Sequence, residues 1–306
     1  MWLSELTRFL QFACVLSLFG IAAWLKVVPP AQEPSPRPGQ SSGWPLAIYA
    51  AVGLLGAAAT MGWLLAEART IGGAWSAVGA VMASTRFGRV AVVRAGLLIV
   101  SALMVWTMRR SRGLWGVLSA LTAAAVTSFV WTGHGTAGVG AAVSLHIIAD
   151  ALHLLCAALW IGALIMLSAG AVQACAAKSP RASAALLTAL SQFSAVGPAV
   201  VGLLVATGLV NTWLLVGPGQ WVGLLLRPYG WVLLAKLALF AGMLLLGRQH
   251  RYRTTPALRQ ALTSSVNDAS VLRPLRRTLL AETLLAAGVL VAVAMLGNLE
   301  PPASLS

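Results

Sequence analysis

The sequence predicts an all-α, polytopic membrane helix bundle with about eight transmembrane helices and one further short helix near residues 71–84. Three observations predict it. Of 306 residues, 59% are hydrophobic and only 9% charged, with a mean hydropathy of +0.85, whereas a soluble domain carries roughly 25% charge. Apolar stretches of about 20 residues, the length that crosses a bilayer, recur along the whole chain. The few charges lie mostly between those stretches, 21 Lys and Arg against 7 Asp and Glu for a formal +14. That is the pattern of topology signals at span ends, with anionic lipid in contact, rather than of a nucleic-acid-binding face. The same composition excludes disordered, collagen-like and disulfide-scaffold classes.

The spans fall at about 8–28, 45–66, 90–108, 114–131, 143–171, 190–216, 229–247 and 279–297. The first has an apolar run too long for a signal peptide and no small-x-small cleavage site after it, so it reads as a helix. Residues 29–45 hold six prolines with Ser, Gly and Gln, and form a flexible connector. The apolar run at 71–84 is too short to span, so it re-enters or lies on the membrane. No internal repeat divides the chain, and 1–306 reads as a single transmembrane domain. Cys14, Cys156 and Cys175 sit in apolar segments without a C-x-x-C pair, which gives neither a disulfide framework nor a zinc cluster.

Orientation follows from the connections. Those after spans one, three, five and seven hold Lys26, Arg37, Arg109, Arg110, Arg112, Lys178, Arg181 and seven arginines from Arg248 to Arg277. The other side has Arg8, Arg69, Arg86, Arg89, Arg94 and Arg227. Fourteen against six places the first group in the cytoplasm. Both termini then face outward.

Ionisable groups at membrane depth are expensive and mark functional sites. Span five carries His146, Asp150 and His153, which at about 100° per residue project within one stripe and rise about 10 Å from first to last. Two imidazoles and a carboxylate on one face are divalent-metal or copper ligands. His134 stands in the WTGHGTAG loop just before this span, where flanking glycines let the backbone fold over the mouth of the bundle. Helix–helix hydrogen bonding is the ordinary alternative for such histidines. Lys236 in span seven matches Asp150 in depth, which motivates an Asp150–Lys236 ion pair. Asn211 near the outer end of span six is a candidate supporting hydrogen-bond donor, with a plain helix–helix hydrogen bond the alternative. Glu282, a turn inside the cytoplasmic end of span eight, reads as the partner of Arg276 or Arg277, or else as an exit ligand. Thioethers bind Cu(I), so Met61, Met104 and Met108 are candidates, with apolar filling the alternative. Cys156 lies at the edge of the span-five stripe as a weak extra ligand. Trp131 and Trp160 flank the cluster, where Trp is also the usual interfacial anchor. No phosphate loop, nucleophile triad or H-E-x-x-H motif occurs, so the chain does not read as an enzyme and has no nucleotide domain to drive a pump.

GHG before span five, H-x-x-x-D-x-x-H-LL-x-AALWIGAL within it, TGLVNTW around Asn211, RPYGWVLLAKLALF around Lys236, LRRTLLAETLL around Glu282 and a closing N-L-E-P-P resemble the copper resistance protein D (CopD) family of bacterial inner-membrane proteins. The likeness is clearest over 84–303, while the first 80 residues match only in hydropathy. The resemblance implies an eight-span protein of the cytoplasmic membrane, with both termini periplasmic and a periplasmic copper chaperone of the CopC type as partner. It also implies movement of copper, generally inward, and places the family's polar positions on His134, His146, Asp150 and His153. The segment GRQHR at 247–251 departs from the family pattern: His250 stands where an asparagine is expected, and reads as a solvated loop residue. The expectation is copper transport into the cytoplasm through a periplasmic-side His/Asp site, in the service of copper homeostasis and resistance. The alternative is a haem-binding redox protein with histidine axial ligands.

Overall fold

The computed structural model describes residues 2–28, 44–72, 77–132, 141–217, 224–263, 269–300 and 302. The expected proline-rich connector and the loop with His134 lie outside the described residues. Within them the chain is all-α: α1 (Trp2–Val27), α2 (Trp44–Gly72), α3 (Ala77–Ser84), α4 (Arg86–Thr107), α5 (Leu114–Thr127), α6 (Ala141–Ala177), α7 (Pro180–Val216), α8 (Pro228–Gln249), α9 (Thr255–Thr263) and α10 (Ala269–Leu296). Eight helical segments are long and apolar enough to cross a membrane: α1, α2, α4, α5 with its 3-10 extension Ser128–Thr132, α6, α7, α8 continued into α9, and α10. The chain is a multi-pass membrane protein.

The remaining helix, α3, has eight residues and rises about 12 Å, far short of a ~30 Å hydrocarbon core. Thr85 punctuates it. Its hydroxyl lies 2.6 Å from the Val81 carbonyl of α3 and accepts from the Gly88 amide at 2.9 Å, capping α4. Val81 packs with Leu64, Ala68 and Ala91, so α3 is a short brace against α2 and α4.

Helix α1 sits at the centre, packed on α2, α5, α6 and α10. Its closest approach is to α6, at Gly20 and Gly162. A Cβ on either glycine would run into the other helix's backbone, so only glycine permits this crossing. Ala158, one turn from Gly162, is fully buried there. The start of α1 and the end of α10 lie together, with the Arg8 guanidinium against Gly297; this is the terminal end of the bundle.

One charge expected in a connection proves to be core. Hydropathy groups Arg94 with the loop arginines of the terminal end, but α4 begins at Arg86, earlier than hydropathy suggests, and Arg94 is fully buried two turns inside it. Its Nε donates to Ser128 Oγ (2.7 Å), Nη1 to Gln11 Oε1 (3.0 Å) and Nη2 to Thr132 Oγ1 (3.1 Å). The guanidinium also lies 3.7 Å from the centroid of the Phe129 ring. This one side chain therefore ties α1, α4 and the end of α5 together.

At the opposite end several helices outrun the bilayer. Helices α6 and α7 have 37 residues each, about 55 Å of rise. There Leu167, Ala171, Leu186, Leu190, Leu258, Leu272, Leu275 and Leu279 pack into a second core, while Arg253, Arg259, Arg273 and Arg277 face outward. The expected starts of spans six and eight, at 190 and 279, fall late for this reason: the extension is amphipathic, and its arginines depress the local hydropathy while its leucines still continue the helix. In the second half α7 packs on α6 and α8 on α10, but among the described residues α7 and α8 make no extensive contact with each other.

Candidate metal site

His146, Asp150 and His153 follow one another down α6 as the spacing predicts. His146 is buried, 8% exposed. Asp150 Oδ1 accepts a hydrogen bond from Asn211 Nδ2 on α7 at 3.3 Å, a bond between two helices. Asn211 Oδ1 is buried without a partner.

His153 Nδ1 lies 3.0 Å from Thr207 Oγ1 on α7. The single hydroxyl proton of Thr207 is directed at the Leu203 carbonyl, 2.6 Å away. The hydroxyl must then accept from His153, which puts the imidazole proton on Nδ1 and leaves Nε2 with a free lone pair. That is the tautomer a metal-ligating imidazole needs, held by a neighbour's hydrogen bond. Gly208 provides the space: a Cβ there would lie 3.4 Å from His153 Cε1. Sequence reasoning missed Thr207, although its position one turn before Asn211 in TGLVNT was the available signal.

Lys236 approaches the same groups from α8. Its charge acts on both Asp150 and His153, but among the described residues Asp150 and Lys236 do not come within ion-pair distance of each other. Helices α6 and α8 meet further along, where the rings of Trp160 and Phe240 lie 5.7 Å apart and Cys156 and Leu164 share a core with Met243.

His134 lies outside the described residues. Among the described residues no three His, Cys, Asp or Glu side chains converge on one point. His146 and His153 are separated by two helical turns, about 10 Å, with Asp150 between them. Chemically this is a ladder of donors rather than a cage, suited to handing a cation along α6. Opposite it stand Thr207, Asn211 and Lys236, none of them an axial ligand for haem iron of the His, Met or Cys type.

Below the ladder the same stripe of α6 continues through Cys156 to Trp160. Cys156 (6% exposed) is not at the donor level. It packs with Trp160, Leu164, Leu204, Met243 and Ala286 in an apolar layer. Met243 is thus the thioether nearest the path. Met61, Met104 and Met108 instead fill the first-half core around α1. Cys14, Cys156 and Cys175 are all free thiols.

At and beneath that layer three expectations are corrected. Trp160 is no interfacial anchor: it is buried, and its Nε1 donates to Glu282 Oε1 at 3.2 Å. Glu282 does not pair with Arg276 or Arg277. Its other oxygen faces His250 Nε2 at 3.2 Å. His250 is no loop residue but is buried at the end of α8, where the helix passes through a π-helical turn, His250–Thr254, into α9. The arginines around it make the stretch look like a loop, yet they face outward while the imidazole faces in.

Two family models match the chain: "Copper resistance protein D-like, N-terminal domain" over residues 2–145 and "Copper resistance protein D" over residues 187–296. The first corrects the view that the opening 80 residues share only hydropathy with the family. Copper resistance protein D of Pseudomonas syringae pv. tomato is 31% identical over 226 residues, covering 72% of this chain and 71% of that protein. Inner membrane protein YebZ of Escherichia coli is 28% identical over 303 residues, 96% of this chain and 97% of that one. No solved structure matches the chain with significance. An all-α, eight-span membrane chain with this likeness along its length belongs to the copper resistance protein D family.

Proposed function

We propose that the chain moves copper across the bacterial inner membrane, from periplasm to cytoplasm, as part of copper homeostasis and resistance. Copper is the cargo. It enters at the terminal end, where His134, His146, Asp150 and His153 receive it from a periplasmic chaperone of the CopC type. The arginine distribution supports this orientation: with Arg94 removed from the count of loop charges, the excess at the opposite end becomes larger, and that end is cytoplasmic by the positive-inside rule.

The observation that carries the reading is the His153–Thr207 contact, which leaves a half-buried imidazole with the Nε2 lone pair available one turn below a carboxylate. Imidazole and carboxylate suit Cu(II) better than Cu(I). Asp150, held by Asn211, supplies negative charge within electrostatic reach of Lys236, so the site is tuned to bind a cation without trapping it. Donors spread along α6 suit a pathway, in which each stop must release what it binds.

The test is elemental analysis of the purified protein, copper and iron per chain, for wild type and for the double variant His146→Ala/His153→Ala, followed by copper uptake into vesicles. Copper bound by wild type and reduced in the double variant, with uptake lost in parallel, is the expected result. Stoichiometric iron in place of copper would overturn the reading in favour of haem.

A further inference from the structure

A second polar station lies about 10 Å below His153 along α6, one further two-turn step to Trp160. Its parts come from three helices: Trp160 of α6, Glu282 of α10 and His250 at the end of α8. Glu282 is 2% exposed and His250 is 7% exposed. The two are a described ion pair by distance, His250 Nε2 to Glu282 Oε2 at 3.2 Å. Distance alone does not make a hydrogen bond. Neither imidazole nitrogen of His250 has a hydrogen-bond partner, and the Thr255 hydroxyl one turn on is likewise buried without one.

An imidazole whose two nitrogens are both buried and both unpartnered is costly to maintain. A buried pair of this kind is also poor support for stability, since desolvation offsets the attraction. The arrangement does fit another purpose. Two ligands bound to one ion at about 2.0–2.1 Å each, and roughly at right angles or a little wider, stand about 3 Å apart. The misaligned 3.2 Å separation is therefore that of neighbouring ligands on a shared ion.

The backbone around His250 is built for the position. The π-helical turn closes with the Thr255 amide donating to the His250 carbonyl, and such turns are rare inside helices and gather at functional sites. The next residue, Arg251, donates from Nη1 to the Ser194 carbonyl of α7 at 2.7 Å. That carbonyl is free because Pro198, four residues later in α7, has no N–H to offer it. The proline in α7 and the turn after α8 thus hold His250 in register from outside, while Trp160 fixes the Glu282 carboxylate from within.

From this geometry we infer that His250 and Glu282 form a second metal station on the cytoplasmic side, taking a divalent cation of Cu(II) type through one imidazole nitrogen and one carboxylate oxygen. It rests on the proposed function for the identity of the ion. With two protein donors it binds more weakly than a closed site, as a point of release requires.

The experiment titrates Cu(II) into the purified full chain in lipid nanodiscs. Bound metal is counted after desalting, and its ligands are read by electron paramagnetic resonance. The proteins are wild type, His146→Ala/His153→Ala, and each of these with His250→Asn. Glu282→Gln is made in both backgrounds as a second variant that keeps an oxygen for Trp160, and thermal unfolding checks that all are folded. The expected result is that the His146→Ala/His153→Ala protein retains a weak Cu(II) site with single-nitrogen coupling. Either His250→Asn or Glu282→Gln then weakens it by about tenfold or more. A double variant with no remaining site, or with one indifferent to both further substitutions, overturns the station and leaves the outer site standing. A double variant that binds as wild type does overturns the outer site instead, and the loss or retention of copper in His250→Asn alone still decides the inner one.

Discussion

The crossing of α1 and α6 at Gly20 and Gly162 sets where the donor-bearing face of α6 stands, and Gly162→Ala tests it. An alanine Cβ at 162 would overlap the backbone of Gly20, reaching its carbonyl oxygen at 2.6 Å, about 0.8 Å short of ordinary contact at 3.4 Å. The obstructing atoms are backbone, which cannot rotate aside, so the two helices must part by about that amount or more. Val15, Leu16, Phe19 and Ala158, all in the core that the two helices share, then lose close packing together. Overpacking of this sort costs about 1–3 kcal/mol, and rigid neighbours on both sides place this case near the top of that range. Unfolding of the purified protein in mixed micelles with increasing denaturing detergent would show it as a lowered midpoint. Gly20→Ala has the same effect, since its Cβ would meet the Ala158 carbonyl and lie 2.7 Å from Gly162 Cα. Once one methyl has parted the helices the second finds space, so the double variant costs less than the sum of the two. Unfolding curves of Gly162→Ala and wild type that superimpose would refute the argument.

Two further outcomes are expected. Thr207→Val keeps the shape of the side chain but removes the acceptor that holds the proton of His153 on Nδ1; copper affinity falls about 10–100-fold, whereas Thr207→Ser retains it, as isothermal titration will report. Arg251→Ala removes the exposed hydrogen bond to the Ser194 carbonyl at a cost of about 0.5–1.5 kcal/mol, but in a Pro198→Ala background the cost shrinks, because the substituted alanine supplies the missing helical N–H; equal losses in both backgrounds, measured by thermal unfolding, would show that the proline is not what frees the carbonyl.

The sequence made the bundle legible because a bilayer demands long apolar runs, and all eight are where hydropathy places them. It was less informative about helix ends. At the opposite end of the bundle the arginines lower hydropathy while Leu186, Leu258, Leu272 and Leu275 continue to pack, so a composition window stops too early. The α6 stripe was readable from local spacing alone, since four and three residues on a helix settle which side chains share a face. The groups that complete it were not. Thr207 meets His153 across 54 positions, and Trp160 meets Glu282 across 122, and such pairings depend on the rotation of separate helices about their axes. His250 and Arg94 escape a sequence reading for one reason: each stands near arginines that belong to a surface, and only three-dimensional packing turns the one side chain inward.

The apolar layer of Cys156, Trp160, Leu164, Leu204, Met243 and Ala286 separates the His153 level from the Glu282 level, and it bears on energy conservation in the cell. A continuous thread of water between two polar levels would carry protons down the membrane potential and dissipate it, whatever else the protein transported. Apart from the Trp160 indole N–H, which is already given to Glu282, the packed side chains at this level offer such a thread one thiol and one thioether, both of which hydrogen-bond weakly but bind soft metal ions well. On the pathway proposed above, such a layer acts as an electrical insulator with a chemical preference: tight against hydronium and hydrated alkali ions, and least forbidding to a metal that can shed its water in exchange for sulfur.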